Sequence, residues 1–356
     1  VENHYARMSG ALSLYDNFGR HKINDGYNPV QRGPQANFFR SKDSLTGVSL
    51  YENFHLFAGN RITAGLDYQS IYGHAWYTDR TTGDEAVNGP KQSGEETNTE
   101  IAGYVDVRQD ILSWLTVDAG IRVDNHSITG TEFIPQVGVV VRPIDEGHLR
   151  LMAGKGFRNP TMKEMYLYPP SNTDLKPERL WNYEISWKHA LPSLGLSYGL
   201  NLFYIKGDNI IMTVPTGGTP PMKNMNSGEI ENKGFEAEVA WRVNENLSFN
   251  GNYSYLDMKN PLAGAPTNKI YLGGNYSIGD FSIAAGVQQV CGLYTANGSD
   301  VNKQDFTLLN TTFSYKVNDL VKVWVRGDNM LNQSYYINTG YPMPGATAMA
   351  GVNLSF

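Results

Sequence analysis

The 356 residues carry 29 Lys and Arg against 35 Asp and Glu, a net charge of −6 with the two signs interspersed; no basic tract exists, which argues against a nucleic-acid partner. Only 40% of residues are apolar and mean hydropathy is −0.40. No uncharged apolar run approaches the ~18–20 residues of a membrane helix, so a helical membrane protein is excluded. Membrane strands are not, because each needs only about 9–11 residues and carries its signal in alternation.

Alternation of apolar and polar residues predicts about sixteen strands, over 4–18, 37–55, 61–75, 97–111, 115–127, 133–143, 148–157, 178–190, 194–212, 228–243, 246–258, 268–278, 281–294, 305–317, 320–331 and 346–356. In the fifth, Leu115, Val117, Ala119, Ile121 and Val123 oppose Thr116, Asp118, Arg122 and Asp124. In the tenth, Phe235, Ala237, Val239 and Trp241 oppose Glu236, Glu238 and Arg242. The last carries Ala348, Ala350, Val352, Leu354 and Phe356 on one face, and the chain stops on that phenylalanine. Most of these strands exceed the globular mode of ~5–6 residues, and their polar faces carry charge in mid-strand. Both features suit a membrane barrel around a polar lumen.

The connections alternate in length. Short ones are built on turn formers: Pro192-Ser193, Asn244-Glu245, Gly279-Asp280 and Asn318-Asp319. Long ones cover about 19–36, 76–96, 158–177, 213–227, 295–304 and 332–345. Short turns on one side and long loops on the other is the outer-membrane arrangement, and the chain ends on the short-turn, periplasmic side. Tyrosine is abundant at 22 residues, which suits the membrane–water interfaces. Val1 stands where a start methionine would, so the chain reads as a processed or truncated piece of something longer.

No catalytic motif and no metal-ligand spacing is present, and no cofactor is expected. Cys291 is alone, which removes disulfide frameworks and Cys-based zinc sites. His55, His148 and His189 lie beside short turns; His74 and His126 lie near the outer rim, where a solvated histidine is expected. Methionines and tyrosines gather in two outer loops: Met162, Met165, Tyr166 and Tyr168 in one, Met212, Met222 and Met225 in the other. They would either hold a flat or apolar ligand, or a soft metal, or pack loop on loop.

Several segments go beyond generic barrel character. Gly154-Lys155-Gly156-Phe157-Arg158-Asn159-Pro160-Thr161 is followed by Asn172-Thr173-Asp174-Leu175-Lys176-Pro177-Glu178-Arg179 and by Tyr183-Glu184. Asn232-Lys233-Gly234-Phe235-Glu236-Ala237-Glu238 comes next, and then Asp328-Asn329-Met330-Leu331-Asn332-Gln333-Ser334-Tyr335-Tyr336. Tyr341-Pro342-Met343-Pro344-Gly345 leads into the terminal strand. In this order, the segments resemble the barrel of TonB-dependent outer-membrane receptors, with the last linker similar to Bacteroidota-like members.

The resemblance implies an all-β, antiparallel transmembrane barrel over 1–356, about sixteen strands of a likely 22, with the plug domain and first strands outside the sequence. It implies a non-enzymatic receptor in the outer membrane of a Gram-negative cell. Its task would be TonB-energised uptake of a scarce nutrient such as a ferric siderophore, haem, cobalamin or another metal complex. Haem held by a histidine between Pro160 and Asn172 is disfavoured, since none lies there. Expected partners are outer-membrane lipid, the TonB complex through the missing plug, the nutrient and, as an accessory, a surface lipoprotein. Arg158, Met165, Tyr166, Tyr168, Met222, Met225, Tyr341 and Met343 are the candidate substrate contacts at the outer mouth, and Phe356 is the expected assembly signal. A passive sixteen-stranded porin and a structural or adhesive barrel are the rival readings.

Overall fold

The computed structural model describes residues 2–24, 26–28, 32–34, 36–85, 94–167, 170–297 and 303–355. In chain order the strands are β1 (Glu2–Tyr5), β2 (Met8–Ile23), β3 (Tyr27–Asn28), β4 (Gly33–Pro34), β5 (Asn37–Phe54), β6 (Asn60–Asp79), β7 (Gly94–Leu112), β8 (Leu115–His126), β9 (Gly130–Ile144) and β10 (Gly147–Arg158). There follow β11 (Glu178–Leu191), β12 (Leu196–Pro215), β13 (Met222–Arg242), β14 (Leu247–Met258), β15 (Pro266–Ile278), β16 (Phe281–Tyr294), β17 (Lys303–Lys316), β18 (Val321–Asp328) and β19 (Thr347–Leu354). Each of the sixteen expected strands is present.

The differences lie at the ends. The expected strand 4–18 is divided by a two-residue turn at Ala6-Arg7, where Tyr5 pairs with Met8, and β2 then runs on to Ile23. Pairing Tyr5 with Met8 shifts the face alternation by one residue, but Glu2–Tyr5 is too short and polar for an apolar pattern to report the shift. On the outer side β6, β12 and β13 all extend beyond the expected limits, and Met222 and Met225 lie in β13 rather than in a loop. The extensions, residues 76–79, 213–215 and 222–227, mix apolar and polar residues without strict alternation, which hides them from a period-two pattern.

The chain divides into two compact units, one of residues 1–139, 153–182 and 207–229, the other of 140–152, 183–206 and 230–356. In the first, β2, β5, β6, β7 and β8 form successive antiparallel ladders. One face aligns Leu14, Val48, Tyr68 and Ile101 across four strands. Leu14 is 73% and Phe18 78% exposed, an arrangement that only an apolar surround stabilises over so wide a patch. The other face carries Asp43, Asp67, Asp106, Arg122 and Asp124, with Arg122 bridging Asp67 and Asp124. Lumenal Tyr104 lies flat over Gly65 of the next strand, where a Cβ would meet its ring carbons at 2.3 Å. A glycine is therefore required there.

In the second unit β13 to β19 pair antiparallel in sequence order from Asn232 onward. Ile283, Phe313, Val325 and Ala350 align across four strands on the exposed apolar face, whereas Ser282 and Ser314 bond at 2.6 Å on the other. Val352 and Leu354 of β19 fall on the apolar face as expected; Phe356 lies outside the described residues. The expected short turns form here. Asn244 and Asn318 each accept two backbone N–H groups through Oδ1, and Gly279 adopts φ 56°. Ser355 N donates to Leu320 O, so the end of the chain sits at a short turn. A small apolar cluster of Val290, Leu293 and Phe306, with Tyr335 stacked 4.2 Å from Phe306, is the nearest thing to an ordinary core.

Candidate functional site: a roofed lumenal cavity

The segment after β10 is organised by one threonine and three charges. Thr161 and Glu164 form a reciprocal cap: Glu164 N donates to Thr161 Oγ1 at 3.2 Å, and Thr161 N donates to Glu164 Oε2 at 2.7 Å. This cap starts the single helical turn Lys163–Leu167. Arg158, at the end of β10, donates both Nη nitrogens to Glu164 at 2.8 and 3.1 Å and Nε to Glu178 at 2.7 Å. Burial alone would push the Glu164 carboxyl up, but the Arg158 guanidinium and the Thr161 donors together outweigh it and hold it below the usual carboxylate range. The free oxygen of Glu178 accepts Ile211 N of β12 at 2.8 Å, tying the cluster to a strand edge.

The Asn172–Glu178 stretch fastens the far end. Asn172 N donates to Glu164 O at 2.9 Å, and its side-chain amide to Asn224 O at 2.8 Å. Asn226 exchanges two bonds with the Lys176 backbone, each 2.8 Å. Leu175 and Pro177 are buried between these bonds. The sequence motif thus has a mechanical meaning: it staples an outer loop to β13.

The stapled segment roofs a concave cavity of about 750 Å³ in the first unit. His21, Asp43, Gln69 and Glu100 line its walls from β2, β5, β6 and β7; Phe157, Met162 and Leu167 line its roof. All four wall residues lie on the polar face of the ladders. Gly73 and Gly94 seat the roof. A Cβ on Gly73 would be 3.6 Å from Met162 Cβ, and one on Gly94 would overlap the Tyr166 and Leu167 backbone. Gly19 stands opposite Asp43 and leaves room for the Asp43–His21 contact at 3.1 Å. At the inner corner Asn159 bridges Glu100 and Thr129, at 3.1 and 2.9 Å. The cavity therefore combines carboxylates, imidazoles and an amide with apolar patches, a lining suited to holding a polar ligand with aromatic or aliphatic parts. Among the described residues no group of three or more His, Cys, Asp or Glu is placed to hold a metal ion by itself.

The candidate contacts fall in different places. Arg158 is engaged with two carboxylates. Met165 is 1% exposed and packs inside the roof. Tyr166 is half-buried beside Glu96, and burial followed by that charge pushes its phenol up. Met222 and Met225 are exposed on β13, and Tyr341 is exposed in the second unit, where Met343 N bonds Tyr335 O. Tyr168 lies outside the described residues. His126 is buried rather than solvated, its Nδ1 facing the Thr129 hydroxyl at 3.1 Å. Sequence reasoning missed His21, Asp43, Gln69 and Glu100. Strand parity assigns each to the polar face, but nothing in one strand says that they meet at one height under a roof.

The model of the TonB dependent receptor-like, beta-barrel family matches residues 3–330. The vitamin B12 transporter BtuB of Photobacterium profundum is 24% identical over 334 residues, covering 89% of this chain and 50% of that protein. The ferric-pyoverdine receptor PbuA of a Pseudomonas species is 26% identical over 137 residues, covering 33% of this chain and 16% of that protein. Among solved structures, the copper transporter OprC superposes with a TM-score of 0.81 at 15% identity, over 99% of this chain and 65% of that one. The ferripyoverdine receptor of Pseudomonas aeruginosa superposes at 0.77 and 16% identity, over 100% of this chain and 55% of that one. The chain spans about half the length of the curated relatives it matches. It belongs to the TonB-dependent receptor-like β-barrel family, antiparallel transmembrane barrels of the outer membrane.

Proposed function

We propose that this chain is the barrel of an outer-membrane receptor for TonB-energised uptake of a scarce nutrient: a ferric siderophore, cobalamin, haem or another metal complex. The observation that carries the reading is the family match over 3–330 joined to a polar, roofed lumenal cavity of about 750 Å³, large enough for a chelate-sized ligand. The cavity walls contribute His21, Asp43, Gln69 and Glu100 to ligand contact, and the ligand reaches them by displacing the Phe157–Leu167 roof. Tyr166, Tyr168, Met222, Met225, Tyr341 and Met343 contact the ligand at the mouth, while Arg158 holds the roof's charge cluster together and buried Met165 packs the roof. These side chains bind and position the ligand; none performs covalent chemistry. The energy comes from the TonB complex through a plug domain, and Phe356 serves assembly.

The test is uptake of a labelled panel (cobalamin, a ferric siderophore, haem and a copper chelate) by cells with and without the full-length gene, each with and without a protonophore. The reading expects gene-dependent uptake of one class, abolished by the protonophore. Conductance of small solutes that persists without energy would establish the porin instead.

A further inference from the structure

Register sorts the charges of the first unit by face. Between the rung Tyr15–Gly47–Gln69–Glu100 and the rung His21–Ser41–Ala75–Gly94, the lumenal positions of β2, β5, β6 and β7 hold three carboxylates, Asp43, Glu96 and Glu100, and no Lys or Arg. The cations that β2 and β5 carry at this height, Arg20, Lys22, Arg40 and Lys42, fall on the opposite parity, that of Leu14 and Phe18. Side-chain contacts agree with the parity. Lys22 Nζ lies 4.2 Å from the Phe38 ring, Lys42 Nζ lies 5.6 Å from Trp76, and Arg40 Nε donates to Thr78 Oγ1 at 3.3 Å. Phe38, Trp76 and Thr78 share that outward parity.

Asp43 and Glu100 line the cavity, and Glu96 stands at its roof beside Tyr166. Among the described residues none of the three has a Lys or Arg within ion-pair distance. Asp43 faces the His21 imidazole at 3.1 Å, Glu100 accepts the Asn159 amide at 3.1 Å, and Glu96 accepts Thr97 N at 3.1 Å. Asn98 lies between Glu96 and Glu100 on the same face of β7. It is 2% exposed and lines the cavity, and its Oδ1 has no hydrogen-bond partner. A buried acceptor between two carboxylates is a seat for an N–H donor or a positive group. Two lysines border the cavity. Lys42 turns its Nζ to Trp76 on the outward parity, and Lys163 belongs to the roof, which a ligand must displace. An anionic ligand in this half-enclosed space would therefore meet like charge, with no guanidinium or ammonium on the wall to offset it.

We propose that the nutrient held here is a neutral or cationic chelate that presents ammonium or amide N–H groups to Asp43, Asn98 and Glu100, and that anionic chelates are excluded. The inference rests on the receptor reading above and narrows its nutrient classes: a ferric tris-catecholate, ferric citrate and haem with its two propionates fall outside. Selection is by charge at the wall, so it acts on a ligand before any energy is spent on moving it.

The test reads the cavity's charge preference without knowing the nutrient. In the full-length receptor, Gln69→Cys with Cys291→Ser places a thiol in the cavity wall. Its rates with a trimethylammonium-ethyl and a sulfonato-ethyl methanethiosulfonate are followed by peptide mass spectrometry at position 69. The ratio of the two rates, divided by the same ratio for 2-mercaptoethanol, cancels any change in thiol ionisation. It is expected to favour the cation more than about tenfold. D43N/E96Q/E100Q in the same background should bring the ratio to about one; should that variant fail to assemble, D43N and E96Q, tested separately, should each lower it. In cells, ferrioxamine B, a ferric trihydroxamate with a free ammonium, and cobalamin stand for the admitted classes, and a ferric tris-catecholate, ferric citrate and haem for the excluded ones. Gene-dependent, protonophore-sensitive uptake confined to the admitted classes supports the proposal. A ratio at or below one would overturn it, as would a ratio that survives loss of all three acids. Protonophore-sensitive uptake of any anionic chelate would also overturn it and leave the receptor reading standing. Conductance that persists without energy would instead overturn the receptor reading, and the carried chelate with it, even with the ratio intact.

Discussion

Arg158 grips Glu164 with both Nη nitrogens, at 2.8 and 3.1 Å, and this fork is what turns the chain after β10 into a roof over the lumenal cavity. Its Nε is left for Glu178, so one guanidinium ties the helical turn to the start of β11. The fork is partly open to water, with the Arg158 side chain 42% exposed, so solvent discounts its strength to about 1 kcal/mol. Arg158→Gln should raise amide exchange in 159–167 about fivefold and leave the β2–β8 ladders unchanged. Exchange mass spectrometry of the purified receptor decides this; uniform acceleration across the barrel would contradict a local fastening.

The same cluster sets a pH response. Glu164 titrates lower in the folded protein than its ordinary value, so its stabilisation is fully present above the usual carboxylate range and is lost as pH falls through the depressed value. Proteolytic nicking of the 159–177 loop should therefore rise between about pH 5 and pH 3, and Glu164→Gln should be nicked readily at pH 7 with little further change. A loop equally protected at both pH values in the wild type would argue against this.

Glu132 of β9 is buried and holds Lys155 Nζ at 2.9 Å and Arg179 Nε at 3.0 Å. Removing the carboxylate leaves two cations facing one another in a half-dry wall. Glu132→Ala should cost about 3 kcal/mol in denaturant unfolding from vesicles, and Glu132→Gln, which keeps the shape and one acceptor, roughly half as much. Equal stability of wild type and Glu132→Ala would mean that water already screens the triad.

The fold was legible because lipid imposes the simplest possible code. Leu115 to Val123, or Phe235 to Trp241, alternate without a break, and each expected strand exists. Reversals and outer extensions were not legible. The Ala6-Arg7 turn shifts the alternation by one residue, but β1 is too short to show it, and Met222 to Ser227 extend β13 where buried Asn224 packs on the stapled loop rather than on an apolar face. The site was legible only as a motif. Phe157-Arg158-Asn159-Pro160 and Asn172 to Glu178 marked the right loop, but their work is fastening rather than display. Met165 has the composition of a ligand contact and the burial of a core residue. The wall residues His21, Asp43, Gln69 and Glu100 come from four strands, and their meeting depends on register, which single-strand patterns do not carry.

Passage of the nutrient through the cavity beneath the Phe157–Leu167 roof can be blocked by a single bridge. The built Cβ of Gly73 and that of Met162 are 3.6 Å apart, within the range a disulfide spans, so Gly73→Cys with Met162→Cys would lock roof to wall; Cys291→Ser removes the competing thiol. Energised uptake of the identified nutrient, measured in the same cells before and after reduction, reads the effect directly. Uptake should fall near background when the bridge is closed and recover on reduction; full uptake through the closed bridge would mean that the nutrient takes another route.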